Sequence, residues 1–126
     1  MTLAFWCVLI AALMPIVFAG IAKAGADSYD NRNPRAWLSR QAGWRQRANW
    51  AQQNTIEAFP PFAAAVIIAH LAAAPQPAIN GLAAAFILIR IAYGYCYIQD
   101  HPLARSLVWL AGLGCVIALF VVAALA

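Results

Sequence analysis

Arg47, Asn54 and Glu57 stand seven and three residues apart in RANWAQQNTIEAFPPF, which runs from Arg47 to Phe62. On an α-helix those intervals return to one face, so the three side chains form a polar stripe. The stripe leads into AAAVIIA at positions 63–69, a run apolar enough to sit in a bilayer. A second set, Arg90, Tyr93 and Tyr97, repeats the i, i+3, i+7 spacing further along. The chemistry open to these residues is charge recognition at membrane depth. An ionisable group such as Glu57 is costly there and needs a partner, which marks a functional site. The plainer reading is an intramembrane pair that holds helices together.

The elements that must carry these stripes follow from composition. The 126 residues are 65% hydrophobic and 10% charged. A soluble domain of this length buries too little surface to hide so much apolar material. A spanning helix needs about 20 residues, and four such stretches fall at about 3–22, 47–71, 79–98 and 103–125. The runs are continuous and rich in Ala and Leu, unlike the alternating strands of a membrane barrel. The expectation is one all-α membrane domain over residues 1–126, a bundle of four transmembrane helices.

The net charge of +4 is concentrated in the 23–46 loop and the start of the second span: Lys23, Arg32, Arg35, Arg40, Arg45 and Arg47. Such clustering first reads as a topology signal that places the loop in the cytoplasm and both termini outside. No aromatic-interleaved basic module of the nucleic-acid-binding kind accompanies it. Pro34 suits the start of a short amphipathic helix, RAWLSRQ, with Trp37 and Trp44 at the interface. Cys7, Cys96 and Cys115 lie in apolar stretches without metal-ligand spacing and read as small packing residues. His70 reads as a hydrogen-bonded interfacial residue, with no second metal ligand nearby. Pro15 should kink the first span, and Pro60-Pro61 should deform the second by leaving the Ile56 and Glu57 carbonyls free.

Depth links the two stripes. Glu57 lies ten residues beyond Arg47, about 15 Å at the helical rise, and Arg90 lies eight residues before Ile98, about 12 Å from the same side. Glu57 and Arg90 are therefore natural partners, within one subunit or across an interface. Arg105-Ser106 opens the fourth span, beyond which Leu107–Ala126 carries no charge and includes Gly112 and Gly114, where a neighbour could approach closely.

RANWAQQNTIEAFPPF, Arg90-Ile-Ala-Tyr93-Gly-Tyr-Cys-Tyr97 and Arg105-Ser106 together resemble the membrane-associated proteins in eicosanoid and glutathione metabolism, the MAPEG family, in particular a bacterial member. The likeness covers essentially the whole chain. It implies a trimer of four-helix subunits that holds glutathione between neighbours, within reach of the cytoplasm. It implies Asn54, Glu57, Arg90, Tyr93 and Tyr97 as glutathione contacts, with Glu57 meeting the tripeptide's ammonium, and Arg105 as the cation that stabilises the thiolate. Family members usually carry an arginine four residues before the Asn, where this chain has Trp50, and Arg47 substitutes one turn earlier. The expected localisation is a bacterial inner membrane.

Residue chemistry agrees with this. Glutathione offers two carboxylates, an ammonium and a thiol, which call for arginines, one carboxylate and a cation near sulfur. A free thiol titrates near ~8.5, so a nearby cation is needed to favour thiolate at neutral pH. The leading expectation is a glutathione transferase or peroxidase acting on a lipophilic electrophile or hydroperoxide, with glutathione as co-substrate and no metal. The alternatives are a non-catalytic MAPEG-like protein with a structural Glu57–Arg90 pair, and a small proton-coupled exporter. A permanent cationic partner for Glu57 argues against the exporter.

Overall fold

Ala4, Cys7, Ala11, Met14, Phe18 and Ala22 recur at three- and four-residue steps, and these are the positions the first helix buries. The structure, a computed structural model, describes residues 1–126. It contains five helices: α1 (Leu3–Lys23), α2 (Pro34–Ser39), α3 (Gly43–Leu71), α4 (Gln76–Ile98) and α5 (Pro102–Ala124). All but α2 are long and apolar enough to cross a membrane. The short α4–α5 and α3–α4 connections make those pairs antiparallel neighbours, and α1 packs chiefly on α3.

The core is built from small residues with a few large anchors. Phe62 of α3 and Phe86 of α4 stack with centroids 4.0 Å apart and rings nearly parallel, burying two large apolar surfaces against each other. Phe18 of α1 fills the space above Gly94 of α4, where a Cβ would lie 2.1 Å from the ring's Cζ. Gly94 is thus a seat that only glycine leaves open. Gly112 is buried against α4, whereas Gly114 faces open space. All three cysteines are free thiols.

Two expectations about shape change, the helix starts and the place of Trp37. The helices begin earlier than the apolar runs: α3 starts at Gly43, and α4 takes Gln76 and Pro77 into its first turn instead of leaving them in the connection. Proline is preorganised for that position and lacks only a donor that has no helical acceptor there. Pro15 lies inside α1, and Pro60 and Pro61 lie inside α3, which continues past them to a length of 29 residues. Trp37 is buried at 3% exposure, not interfacial. It packs with Leu38, Ala22 and Ala48, which docks α2 onto the bundle end.

At that end the arginines of α3 secure two other helices. Arg45 Nη1 donates to the Ala22 carbonyl at 2.9 Å, and Arg47 Nε donates to the Ile98 carbonyl at 3.0 Å. The last carbonyls of a helix lack internal partners and carry partial negative charge, so a cation placed there satisfies both needs. At the opposite end the side-chain hydrogen bonds join Thr2, His70, Gln76 and Asn80. Thr2 Oγ1 and His70 Nε2 lie 2.9 Å apart, Gln76 donates to Asn80 Oδ1, and the same oxygen accepts from the Ala4 N–H.

Candidate functional site

Asn54 and Glu57 on α3, Tyr93 and Tyr97 on α4, and Arg105 on α5 converge on one side of the bundle. Two adjoining clefts are cut there. One, about 340 Å³, is lined by Trp50, Gln53, Asn54, Glu57, Tyr93 and Tyr97. The other, about 460 Å³, shares Asn54, Tyr93 and Tyr97 and adds Arg105, Ser106, Trp109 and Leu110. Both lie in the size range of small-molecule sites, roughly 300–1,000 Å³.

Local structure explains the convergence. After α4, Asp100 adopts a left-handed conformation with φ 61°, and the His101 N–H returns to the Cys96 carbonyl at 2.8 Å. This closes the helix with a Schellman turn, which aspartate tolerates better than most residues. The chain reverses within three residues, and Arg105 falls in the first turn of α5 beside Tyr97. Its guanidinium carbon sits 4.5 Å from the Tyr97 ring centroid, a cation–π contact that aims the charge across the cleft. Tyr97 is also edge-on to Tyr93 at 5.7 Å and tilted against Trp50 at 6.2 Å.

The polar stripe of α3 divides by depth of burial. Glu57 is exposed on the outer surface of the subunit and Asn54 is half-buried. Arg90 is 3% exposed and stands behind them. Within the subunit, the expected direct partnership of Glu57 and Arg90 is not formed, because Asn54 lies between. Arg90 Nη2 donates to Asn54 Oδ1 at 3.0 Å, and Asn54 Nδ2 donates to Glu57 Oε2 at 3.5 Å. The guanidinium carbon of Arg90 also lies 4.2 Å from the Tyr93 ring centroid. Arg90 therefore acts on the clefts by fixing Asn54 and Tyr93.

Arg47 does not join the clefts, since its donor is engaged by the end of α4. Trp50, one turn along, lines the cleft instead. Thr55 is a site-supporting residue that spacing alone does not single out. Its buried hydroxyl donates to the Ala51 carbonyl at 2.7 Å and accepts from Arg90 Nη2 at 3.1 Å. A lone threonine in an apolar helix ordinarily bonds back to the i−4 carbonyl, and only its placement opposite Arg90 reveals the second bond.

The assembled groups offer a carboxylate at the surface, a neutral amide held by a buried cation, two phenols and a half-buried arginine. That set can hold a zwitterion and stabilise an anion beside Arg105. The sequence model of the MAPEG family matches residues 3–125. No curated protein matches the chain.

Proposed function

The chain belongs to the MAPEG family, whose members include glutathione transferases and peroxidases, and on that premise we propose that it binds glutathione in the two adjoining clefts and activates its thiol. The observation that carries this reading is the meeting of Glu57, Asn54, Tyr93, Tyr97 and Arg105 from three helices around shared cleft walls. Glu57 takes the tripeptide's ammonium, Asn54 a backbone or carboxylate group, and the tyrosine hydroxyls orient the peptide. Arg47 and Arg90 serve from behind, through the end of α4 and through Asn54.

Arg105 is the catalytic cation. Beside it the thiol loses its proton to water more readily, because the thiolate is stabilised by the fixed positive charge. With a carbon electrophile, the sulfur pair forms the C–S bond and the displaced pair departs with the leaving group. With a hydroperoxide, sulfur takes the terminal oxygen, the O–O bond breaks and an alcohol leaves. A second glutathione then displaces water from the oxidised sulfur to give the disulfide. Both reactions suit a site whose mouth adjoins apolar helix surface, from which a lipophilic co-substrate can enter.

The active form in this reading is a homotrimer. Glu57 lies exposed on a face otherwise suited to lipid, and a carboxylate facing hydrocarbon is costly. A second copy that covers this face removes the cost and completes the clefts. The basic end, with Arg45 and Arg47, faces the cytoplasm of a bacterial inner membrane, with both termini outside. Within the subunit Glu57 reaches Arg90 only through Asn54, so the purely structural reading would need the pair to form across an interface. Titration of the detergent-solubilised protein with glutathione tests the proposal. Saturable binding accompanied by thiolate absorbance is the expected result, and absence of binding from detergent and from lipid discs alike overturns it.

A further inference from the structure

The seam between α1 and α4 lies apart from the clefts, which α3, α4 and α5 enclose. α1 packs on α3 and α4, and α5 packs on the same two helices, so α1 and α5 stand at opposite corners. Along the seam runs a groove of about 470 Å³, from Ile10 to Ile21 on α1 and from Ile91 to Ile98 on α4. Eleven residues separate Ile10 from Ile21, roughly 16 Å of helix. That is close to half of a hydrocarbon core about 30 Å thick, so the groove spans one leaflet, on the side where α1 ends. Its only polar side chain is Tyr95, one turn from the end of α4, where interfacial tyrosines sit. Ile21 and Ile98 also pack against Ala22, Trp37, Leu38 and Ala48. The docked α2 therefore closes the groove at that end.

Cations gather around that closure. Seven of the eight Lys and Arg residues, Lys23 to Arg47 and Arg105, lie at this end, against Asp27, Asp30 and Asp100. Arg32, Arg35 and Arg40 are exposed and Lys23 is half-buried. A second apolar groove, about 460 Å³, lies at the other end, where Phe5, Val8 and Leu9 of α1 meet Ile67 of α3. No Lys, Arg, Asp or Glu occurs in residues 1–22, 58–89 or 107–126, which build that half. The two grooves are alike in size and opposite in electrostatic setting. A helix of another copy is a poor fit to the α1–α4 groove. Membrane helices approach one another through small residues, and the smallest side chain along this groove is Val17. A flexible hydrocarbon chain suits such a surface. We propose that the α1–α4 groove binds one acyl chain of an anionic phospholipid from the leaflet on the basic side. Its phosphate is held among Lys23 and the arginines flanking α2, as basic clusters beside spanning helices attract anionic headgroups. Phe18, which sits over Gly94, lines the same groove, so the lipid covers the seam that joins α1 to α4.

The test adds phosphatidylglycerol or phosphatidylcholine to the delipidated full-length protein in nonionic detergent and counts retained lipids by native mass spectrometry. One phosphatidylglycerol per subunit is expected to survive a dilution that removes phosphatidylcholine. Val17→Trp fills the groove from an exposed position and should weaken phosphatidylglycerol roughly tenfold, the scale of a lost fit in an apolar pocket. Leu13→Trp, on the same wall, repeats the measurement should the first variant not fold. Leu9→Trp fills the groove at the uncharged end and should change nothing. Lys23→Gln with Arg35→Gln should lower phosphatidylglycerol affinity by about fivefold per charge removed and leave phosphatidylcholine alone. Equal retention of the two lipids overturns the proposal, as does unchanged retention in the groove-filling variants. A loss in Leu9→Trp equal to that in Val17→Trp would move the lipid elsewhere and overturns it as well. So does an undiminished phosphatidylglycerol preference in the doubly neutralised protein. A changed number of subunits in Val17→Trp would make the groove a contact between copies, against the lipid. None of these outcomes depends on glutathione.

Discussion

In the first half of α3 and beside it, several polar groups are charged: Arg45 and Arg47 hold the ends of α1 and α4, and Glu57 and Arg105 border open clefts. Where α3 ends, Thr2, His70, Gln76 and Asn80 bond to one another and to the Ala4 backbone. His70 also stacks on Phe5 at 4.1 Å and bonds the Val66 carbonyl. One region keeps donors and a carboxylate available, and the other turns its polar groups inward. In a membrane this is a division of labour. A self-satisfied cluster tolerates an apolar surround, while exposed charge at membrane depth is where, on the proposed function, a ligand would complete the structure.

Three substitutions sharpen the contrast, and the largest effect falls on chemistry. Arg105→Ala should lower turnover with glutathione and an aryl electrophile by about 10²–10³, the usual cost of one electrostatic stabiliser. Its melting temperature should stay nearly unchanged, because the half-buried side chain leaves a position that water can reach. Stopped-flow thiolate absorbance with steady-state rates checks this, and full activity would remove Arg105 from the catalytic role.

The next effect is on stability at the boundary between the two regimes. Arg90→Leu removes the donor that satisfies Asn54 and Thr55 and should cost roughly 1–3 kcal/mol. Asn54 then loses its fixed orientation, so glutathione affinity should fall as well. Adding Thr55→Val deletes the hydroxyl that has lost its Arg90 donor and keeps only its bond to the Ala51 carbonyl, and should restore part of the stability but not the affinity. Thermal melts of the single and double variants, read with glutathione titrations, decide it; strict additivity in the melts would mean that the Arg90–Thr55 contact has no energetic content.

The smallest change comes from the closed end. Asn80→Ala leaves the Ala4 N–H and the Gln76 amide without their shared acceptor and should cost about 1 kcal/mol. Glutathione affinity and turnover should not move. A loss of affinity would show that the two ends are coupled through the bundle, contrary to the independence drawn here.

The four long helices were legible in the sequence because hydrophobic length and helical period survive any tertiary context. So was the pairing of depths between the stripes, which rests on rise per residue alone. Helix starts were not, since Gly43–Gln46 and Gln76–Pro77 look like loop until the helix that continues them is seen. The position of Arg90 behind Asn54 was hidden for a related reason: spacing gives the face of a helix but not which of two facing polar groups lies deeper. The roles of Arg45 and Arg47 were read as topology and ligand charge. Their partners are carbonyls at the ends of other helices, which have no signature in side-chain sequence.

The seat of Phe18 on Gly94 bears on how the chain is made. Both that contact and the bond from the Ala4 N–H to Asn80 tie α1 to α4, and each pair lies 76 residues apart in sequence. At about 5–20 residues per second, a ribosome needs roughly 4–15 s to synthesise that interval. During those seconds the first helix resides in the bilayer with no α4 against which to set its height, and only its contacts with α3 form earlier. Insertion and final registration are therefore separate events for this helix. A released chain that ends before Gln76 should leave α1 inserted yet free to slide, whereas one that includes all of α4 through Ile98 should hold it fixed.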